Sequence, residues 1–487
     1  MSLNYNFIWL LCYLLVLVGL AGYGFHRLSI VYLYWKNRNN KPQPKARFQE
    51  LPVVTVQLPM FNEKFVVDRL LESVAALDYP QDKLEIQILD DSTDDTTEQC
   101  YRKVEELKSL GFDAVCIHRT DRTGFKAGAL EAATKVAKGE FLLILDADFV
   151  PEPDLLQKTI HFFTDENVGL VQTRWGHINR EYNLLTRIQG MYLDGHFAME
   201  QTARNRSGRF FTFNGTAGIW RKCVIGDAGG WSHDTLTEDM DLSYRVQLKG
   251  WRFIYLNDVV TPAELPVDMD GFKSQQHRWT KGSIQVCQKI LLDIWRSNAP
   301  LKAKVEATTH LTCNYSYLLL ALLCFLVYPI CTQRIPENET VFMWFVNVAL
   351  FFMTSVAVCI FYMSAQIVVR PKSWWKELPY LPLLLTLSVG MAVNNAKAVL
   401  EAIFGHQSAF VRTPKYGVDR KEDRRHVSQL KRNGYRAIKS VVIPVLEIAC
   451  GTFFLNLIII MIRQGHYLSP ILMIPFLGFY YTGFCCL

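Results

Sequence analysis

The 487-residue sequence has no Cys-x-x-Cys pair. Its twelve cysteines are scattered, and Cys12, Cys324, Cys359 and Cys450 lie inside apolar segments. That excludes a zinc ribbon or a disulfide framework and leaves small buried hydrophobes in a reducing setting. A strong charge of one sign is also missing. The net charge of +6 is not clustered, so there is no nucleic-acid footprint, and membrane lipid headgroups suffice as a partner. No charge interrupts residues 7–25, and no basic residue precedes them. A cleaved signal peptide needs a basic start, so the run, continued by the apolar stretch 28–35, reads as a membrane-spanning helix.

What is present is unevenly divided. Half the residues are apolar and 13% aromatic, yet the mean hydropathy is only +0.08. The average joins a charged, globular stretch, residues 50–299, to apolar flanks. Lys36, Arg38, Lys41, Lys45 and Arg47 follow the first helix (residues 1–35), which puts the N-terminus outside and the globular stretch in the cytoplasm. Later apolar runs cover 310–331, 341–363, 379–400, 441–462 and 468–481. If all five crossed, segment 401–439 with its ten Lys/Arg would lie outside, against the positive-inside bias. The imperfect run is 379–400, which holds Pro382, Gly390, Asn394, Asn395 and Lys397 and follows Trp374, Trp375 and Lys376. It is expected to be interfacial or re-entrant. The expected plan is then two membrane helices in 300–363, an interfacial helix and loop in 370–439, and a hairpin in 440–487. The sequon Asn338-Glu339-Thr340 lies so close to the bilayer that it reads as a chance match.

Within the globular stretch, residues 53–58 form a β-branched strand that Pro59 should end, and Asn62 is a candidate helix N-cap. Strands are also expected at 84–89, 114–118 and 141–145, alternating with helices. The pattern predicts an α/β domain with a mainly parallel sheet, whose ligands sit beyond the carboxyl ends of the strands. Two acidic pairs fall there. Asp90-Asp91-Ser92 suits an Asx-turn, or a contact with a base N–H and a ribose hydroxyl. Asp146-Ala147-Asp148 sets two carboxylates around a small residue, an oxygen site suited to Mg2+ or Mn2+ bridging a diphosphate. Lys126, within Thr123–Leu130, and its flanking glycines open a helix that could hold an anion.

Further on, Thr237-Glu238-Asp239 precedes a helix, whose N-terminus favours acids in any case; as a functional group Asp239 would be a general base toward a hydroxyl. The stretch 211–220, with Phe213 and Asn214, suits a loop that approaches a sugar acceptor, or a buried strand and turn. Gln275-Gln276-His277-Arg278-Trp279 supplies a neutral donor at Gln275, a phosphate fork at Arg278 and a flat face for a pyranose at Trp279. As an ordered set these residues point to sugar transfer from a nucleotide donor at a membrane surface.

At these residues the chain resembles the processive family-2 inverting glycosyltransferases, which include cellulose, mannan, hyaluronan and chitin synthases, and most closely the mannan/glucomannan synthase-like branch. The shared text includes QLPMFNEK (57–64), LDDSTDDT (89–96), FKAGAL (125–130), DADFVPEPD (146–154), VQTRWGHIN (171–179), FNGTAGIWR (213–221), LTEDMDLSYR (236–245) and QQHRW (275–279). The resemblance implies a GT-A catalytic domain inserted between transmembrane helices, displacement with inversion, and extrusion of a β-glycan, β-1,4-linked in the nearest branch. It also implies roles for particular residues. Glu63, Asp90 or Asp91, and Lys126 would contact the nucleotide; Asp148 with Asp146 would hold Mn2+ or Mg2+; Asp239 would be the base. Gln275, Arg278 and Trp279 would face diphosphate and acceptor, with Glu238, Phe213 and Asn214 on the acceptor side. Residues 410–415, with Lys415 toward the donor, look like the gating loop of cellulose synthases, departing from it at Arg412 where those enzymes usually carry valine. The donor is expected to be UDP-glucose or GDP-mannose, the acceptor a growing polysaccharide, and the setting a plasma, inner or Golgi membrane. A homo-oligomer stays open. The alternative is a lipid glycosyltransferase of the ceramide type, adding one sugar.

Overall fold

The computed structural model describes residues 5–332, 349–350, 352–407, 412–419, 421–432, 434–435, 440–464 and 470–487. The sequon at 338–340, the start of the 341–363 run, Phe410, Val411 and the segment ahead of the last apolar helix lie outside them.

The globular stretch is built on one sheet of seven strands: β1 Val54–Met60, β2 Leu84–Asp90, β3 Asp113–His118, β4 Phe141–Ile144, β5 Val168–His177, β6 Gly218–Arg221 and β7 Arg252–Ala263. Their order is β3-β2-β1-β4-β6-β5-β7. Only β6 runs antiparallel to its neighbours, pairing Leu142 with Trp220 on one side and Val171 with Ile219 on the other. The register of β1 on β2 runs from Val54↔Leu84 to Met60↔Asp90. Side chains alternate across the sheet. Val56, Ile88 and Leu143 enter one apolar cluster, and Leu89, Leu142 and Ile144 enter another. Central β4 is buried on both faces, which is why it reads as an unbroken apolar run.

Two local expectations are corrected. The first strand continues through Pro59 to Met60, one lost ladder donor at a strand end being tolerable. Asn62 does not cap the next helix, which begins at Val67 after Val66. Asn62 instead adopts a left-handed φ of 55°, as asparagine readily does, and its Oδ1 accepts from Thr93 N–H at 2.8 Å. That bond ties the loop after β1 to the loop after β2 at the edge where the ligands are expected.

Among the described residues three helices are long and apolar enough to cross a membrane: Ile8–Asn37, Phe352–Val369 and Val442–Arg463. Two bent pairs also qualify together, Leu301–Thr312 with Tyr315–Tyr328 (52°) and Trp374–Gly390 with Ala392–Ile403 (41°). The imperfect run 379–400 is therefore a broken helix. The first helix exposes Leu15, Val18 and Phe25, a surface that suits lipid rather than water. It is tied to the rest by Trp9 Nε1–H donating to Leu326 O at 3.0 Å and by His26, 3.0 Å from Glu306. Glu306 in turn accepts from Arg204 Nε at 2.9 Å, which links the first helix to the globular domain.

Candidate active site

The carboxyl ends of β1, β2 and β4, the Glu238–Leu248 helix, the Met269–Arg296 helix and segment 412–415 surround one cavity of about 660 Å3. It is lined by Glu63, Asp91, Lys126, Asp146, Asp148, Asn214, Glu238, Asp239, Gln275, Arg278, Trp279 and Lys415, residues more than 350 positions apart in sequence. Two of the expected residues are elsewhere. Asp90 is fully buried beneath the cavity. It accepts from Ser92 N–H at 3.0 Å and Thr97 O–H at 2.8 Å and lies 2.7 Å from His118 Nδ1, so it builds the turn and does not face a nucleotide. Phe213 is buried against Trp220, with ring centroids 5.4 Å apart, and belongs to the apolar cluster under the sheet. Its neighbour Asn214 faces the cavity instead.

Asp91 is met by a fork that the sequence reading missed. Arg119 donates through Nε to Oδ1 at 2.8 Å and through NH2 to Oδ2 at 2.6 Å. Nearby, the Arg122 guanidinium lies 3.5 Å over the Phe61 ring. Both arginines precede the helix Phe125–Val136 and carried no recognisable motif.

At Asp146 and Asp148, lysine ammonium groups sit on both carboxylates. Lys126 Nζ donates to Asp146 Oδ1 at 2.5 Å and to Gly215 O at 2.8 Å, and Lys415 Nζ donates to Asp148 Oδ2 at 2.5 Å. Burial alone would lower the Lys126 pKa, but Asp146, Glu238 and Asp239 together hold it above the usual lysine range. Lys415 is held up in the same way by Asp148 and Glu63. Among the described residues no group of three His, Cys, Asp or Glu could close around a metal. The pair nonetheless fits a hard divalent ion. Cations already occupy both carboxylates, and Mg2+-type ions are commonly held by one or two carboxylates plus substrate phosphate oxygens.

The Glu238–Leu248 helix begins at the acidic pair, with Thr237 as its N-cap residue. Asp239 Oδ1 accepts from Met240 N–H at 2.8 Å. Its other oxygen faces Gly215, where a Cβ would lie 3.2 Å from Asp239 Oδ2 and 3.5 Å from Lys126 Nζ. Gly215 has a φ of +81°, a conformation that favours glycine, and a side chain there would crowd Asp239. Burial pushes Asp239 up to about 8, with the Glu238 charge adding to the rise and Lys126 opposing it. Burial also raises Glu238. Across the cavity, burial lifts Glu63 to about 8 against the pull of Arg412, 3.9 Å away. A carboxylate with its pKa near the working pH is suited to proton transfer.

The Met269–Arg296 helix is capped by Asp268, whose side chain accepts from Gly271 N–H at 2.8 Å. It presents Gln275, Arg278 and Trp279 to the cavity. Arg278 NH2 donates to Thr413 Oγ1 at 3.1 Å. Trp279 lies 6.5 Å from Trp175, which stacks on Phe197 at 4.7 Å, so two indoles line this part of the cavity. Asn214 is fixed there by Gln201, donating at 2.5 Å, and by His196 at 3.0 Å. Segment 412–419 is fastened by Glu264, an acid the sequence reading did not single out. Its oxygens accept from Tyr416, Gly417 and Val418 N–H at 2.9, 3.0 and 3.2 Å. The only signal for Glu264 was its place just past β7, a strand the periodicity did not reveal.

Comparison with known proteins agrees with this geometry. Residues 52–282 match the family described as "Glycosyltransferase like family 2". Glucomannan 4-beta-mannosyltransferase 2 of Arabidopsis thaliana is 42% identical over 286 residues, covering 55% of this chain and 53% of the relative. Glucomannan 4-beta-mannosyltransferase 1 of Oryza sativa subsp. japonica is 41% identical over 277 residues, covering 56% and 53%. The chain spans about half the length of these curated relatives in the match. Among solved structures, the mannosyltransferase PcManGT from Pyrobaculum calidifontis, in complex with GDP-Man and Mn2+, superposes with a TM-score of 0.57 at 20% identity. That match covers 81% of this chain and all of the other, and it establishes the GT-A fold.

Proposed function

We propose that this chain, whose residues 52–282 match a family-2 glycosyltransferase model and resemble glucomannan mannosyltransferases, is a membrane-embedded processive glycan synthase. It transfers a hexose from a nucleotide sugar, GDP-mannose or UDP-glucose, with inversion to the end of a growing β-1,4-glycan. The observation that carries this reading is the convergence of Asp146, Asp148, Asp239 and Arg278 on one cavity that also holds Trp279. Curated mannosyltransferase relatives and a fold neighbour solved with GDP-Man and Mn2+ support the donor class and the need for a divalent ion.

Asp146 and Asp148 would hold Mn2+ or Mg2+, which when bound neutralises charge on the leaving diphosphate. Glu63 and Asp91 would contact the nucleoside; Lys126, Lys415, Gln275 and Arg278, which line the same cavity, can contact diphosphate oxygens. Trp279 offers its face to the acceptor pyranose, with Asn214 and Glu238 available to its hydroxyls. Asp239 takes the proton of the acceptor hydroxyl as that oxygen bonds to the anomeric carbon from the side opposite the diphosphate. The bond from the anomeric carbon to the diphosphate oxygen breaks with its electron pair, and the nucleoside diphosphate leaves. In this reading the catalytic domain faces the cytoplasm, a side supported by the basic residues of segment 401–439, and the membrane helices would pass the polymer across the bilayer.

The test is incubation of the purified chain in lipid nanodiscs with each nucleotide sugar and Mn2+ or Mg2+, followed by product sizing and linkage analysis. A β-1,4-linked polymer is expected. A single sugar on a lipid would replace this reading with the lipid-transferase one, and failure with every donor would remove both.

A further inference from the structure

The Met269–Arg296 helix has a second functional face. Lys273, His277 and Lys281 recur every four residues, so they form one row along the helix. Each meets an acid on a helix of the C-terminal apolar region. Lys273 Nζ donates to Glu447 Oε2 at 2.5 Å and to Thr482 O at 2.9 Å, while His277 and Lys281 both lie 3.1 Å from Glu401. Glu447 belongs to the Val442–Arg463 helix and Thr482 to the Pro470–Phe484 helix, and both residues are fully buried. Lys273 thus joins the helix bearing Gln275, Arg278 and Trp279 to both arms of the C-terminal hairpin. The neighbouring broken helix adds Asn394 Nδ2, which donates to the Lys273 carbonyl at 3.2 Å.

We infer that the buried Lys273–Glu447 pair is a positioning device that makes the C-terminal hairpin part of the catalytic apparatus. It does so by fixing the height and rotation of the helix that presents Gln275, Arg278 and Trp279. A buried ion pair is a poor choice for stability alone, because well-packed apolar side chains of similar volume hold helices together as well or better. What the pair adds is register. Apolar interfaces tolerate repacking and lose uniqueness before stability, whereas the Lys273 ammonium is held between two named buried acceptors. Lys273 lies two residues before Gln275 and five before Arg278, so its placement carries directly to them. A misplacement of about 1 Å at reacting groups can cost on the order of a hundredfold in rate.

The inference rests on the transfer activity proposed above, and its test separates the two. Three variants are compared with the full-length enzyme in nanodiscs: Lys273→Met/Glu447→Leu, the exchange Lys273→Glu/Glu447→Lys, and the isosteric Glu447→Gln. Thermal unfolding, nucleoside-diphosphate Kd, kcat and product length are measured for each. The apolar pair is expected to unfold no earlier than wild type while kcat falls at least tenfold and nucleotide Kd rises severalfold. The exchange should recover at least half the lost rate, and Glu447→Gln should fall between. Wild-type kcat and Kd in the apolar pair would overturn the inference. So would losses that merely follow the folded fraction in all three variants, including the case where the apolar pair does not fold. If the wild type transfers no sugar, the functional reading falls, and the pair is then judged on nucleotide Kd alone.

Discussion

Lys415 Nζ lies 2.5 Å from Asp148 Oδ2, so a lysine from the segment before the C-terminal hairpin sits on a carboxylate from the end of β4. The contact borders the same cavity as Lys126 and competes with any cation for Asp148.

Replacing Lys415 with Met should therefore act in opposite directions on two ligands. Without nucleotide, Mn2+ affinity should rise about tenfold, roughly 1.4 kcal/mol, because Asp148 is released. Nucleoside-diphosphate affinity should fall, because a charge-assisted donor is gone. Calorimetric titration of each ligand checks both, and unchanged Mn2+ affinity would show that Lys415 does not occupy the cation position.

Asp239 and Arg278 should separate chemistry from binding. Asp239→Asn keeps the size and the contact with Met240 N–H but cannot take a proton. Transfer should drop roughly 10^2–10^4-fold with donor nucleotide binding nearly intact. Arg278→Ala should mainly weaken the nucleotide. Equal loss of nucleotide binding in the two variants would make Asp239 a donor-site acid and leave the base unidentified.

The pH profile follows from the burial of Asp239, which pushes its pKa up to about 8. A base works in its deprotonated form. The rate should therefore be lost as pH falls below about 8 and approach a plateau above it. In Asp239→Asn that limb should vanish from the kcat/KM profile measured over about pH 6–9. A limb that persists unchanged would assign it to another group, Glu63 being the first candidate.

Gly215→Ala introduces a side chain at a φ of +81° and places a methyl group 3.2 Å from Asp239 Oδ2. A stability loss of about 1–2 kcal/mol is expected from the backbone alone. The rate should fall at least tenfold, since the methyl occupies space before the base. An active Ala variant with an unchanged thermal midpoint would refute the close approach.

Topology is tested at Ser428, in the Arg424–Arg432 helix of the basic segment. A cysteine there should resist membrane-impermeant thiol reagents in intact cells when native thiols are controlled. Rapid labelling from outside would mean that the run 379–400 crosses the membrane.

By itself the sequence determined the features that are local and repeat on a short period. Short apolar and β-branched runs marked β1 to β4, and the acids at the ends of β2 and β4 had to fall on the sheet edge where parallel strands meet their ligands. Gln275, Arg278 and Trp279 could be placed together because their spacing, three and four apart, puts them on one side of a helix. The tertiary structure decided which of two adjacent side chains faces the cavity. Asp90 turned inward and Asp91 outward, and Phe213 went to the core while Asn214 stayed at the rim. Successive side chains of extended backbone point to opposite sides, and only the layer packed beneath them fixes which side is which. Long-range pairing hid β5 and β7, which join residues far apart in sequence, and with them Glu264, while β6 lies at the end of the stretch 211–220 that had a buried strand as its alternative. Asn394 and Lys397, which made the run 379–400 look unfit for lipid, meet Lys273 and Glu401. Their polarity was legible in the sequence, but the purpose of Asn394 depended on the Met269–Arg296 helix packing against that run, whereas Lys397 pairs within its own helix.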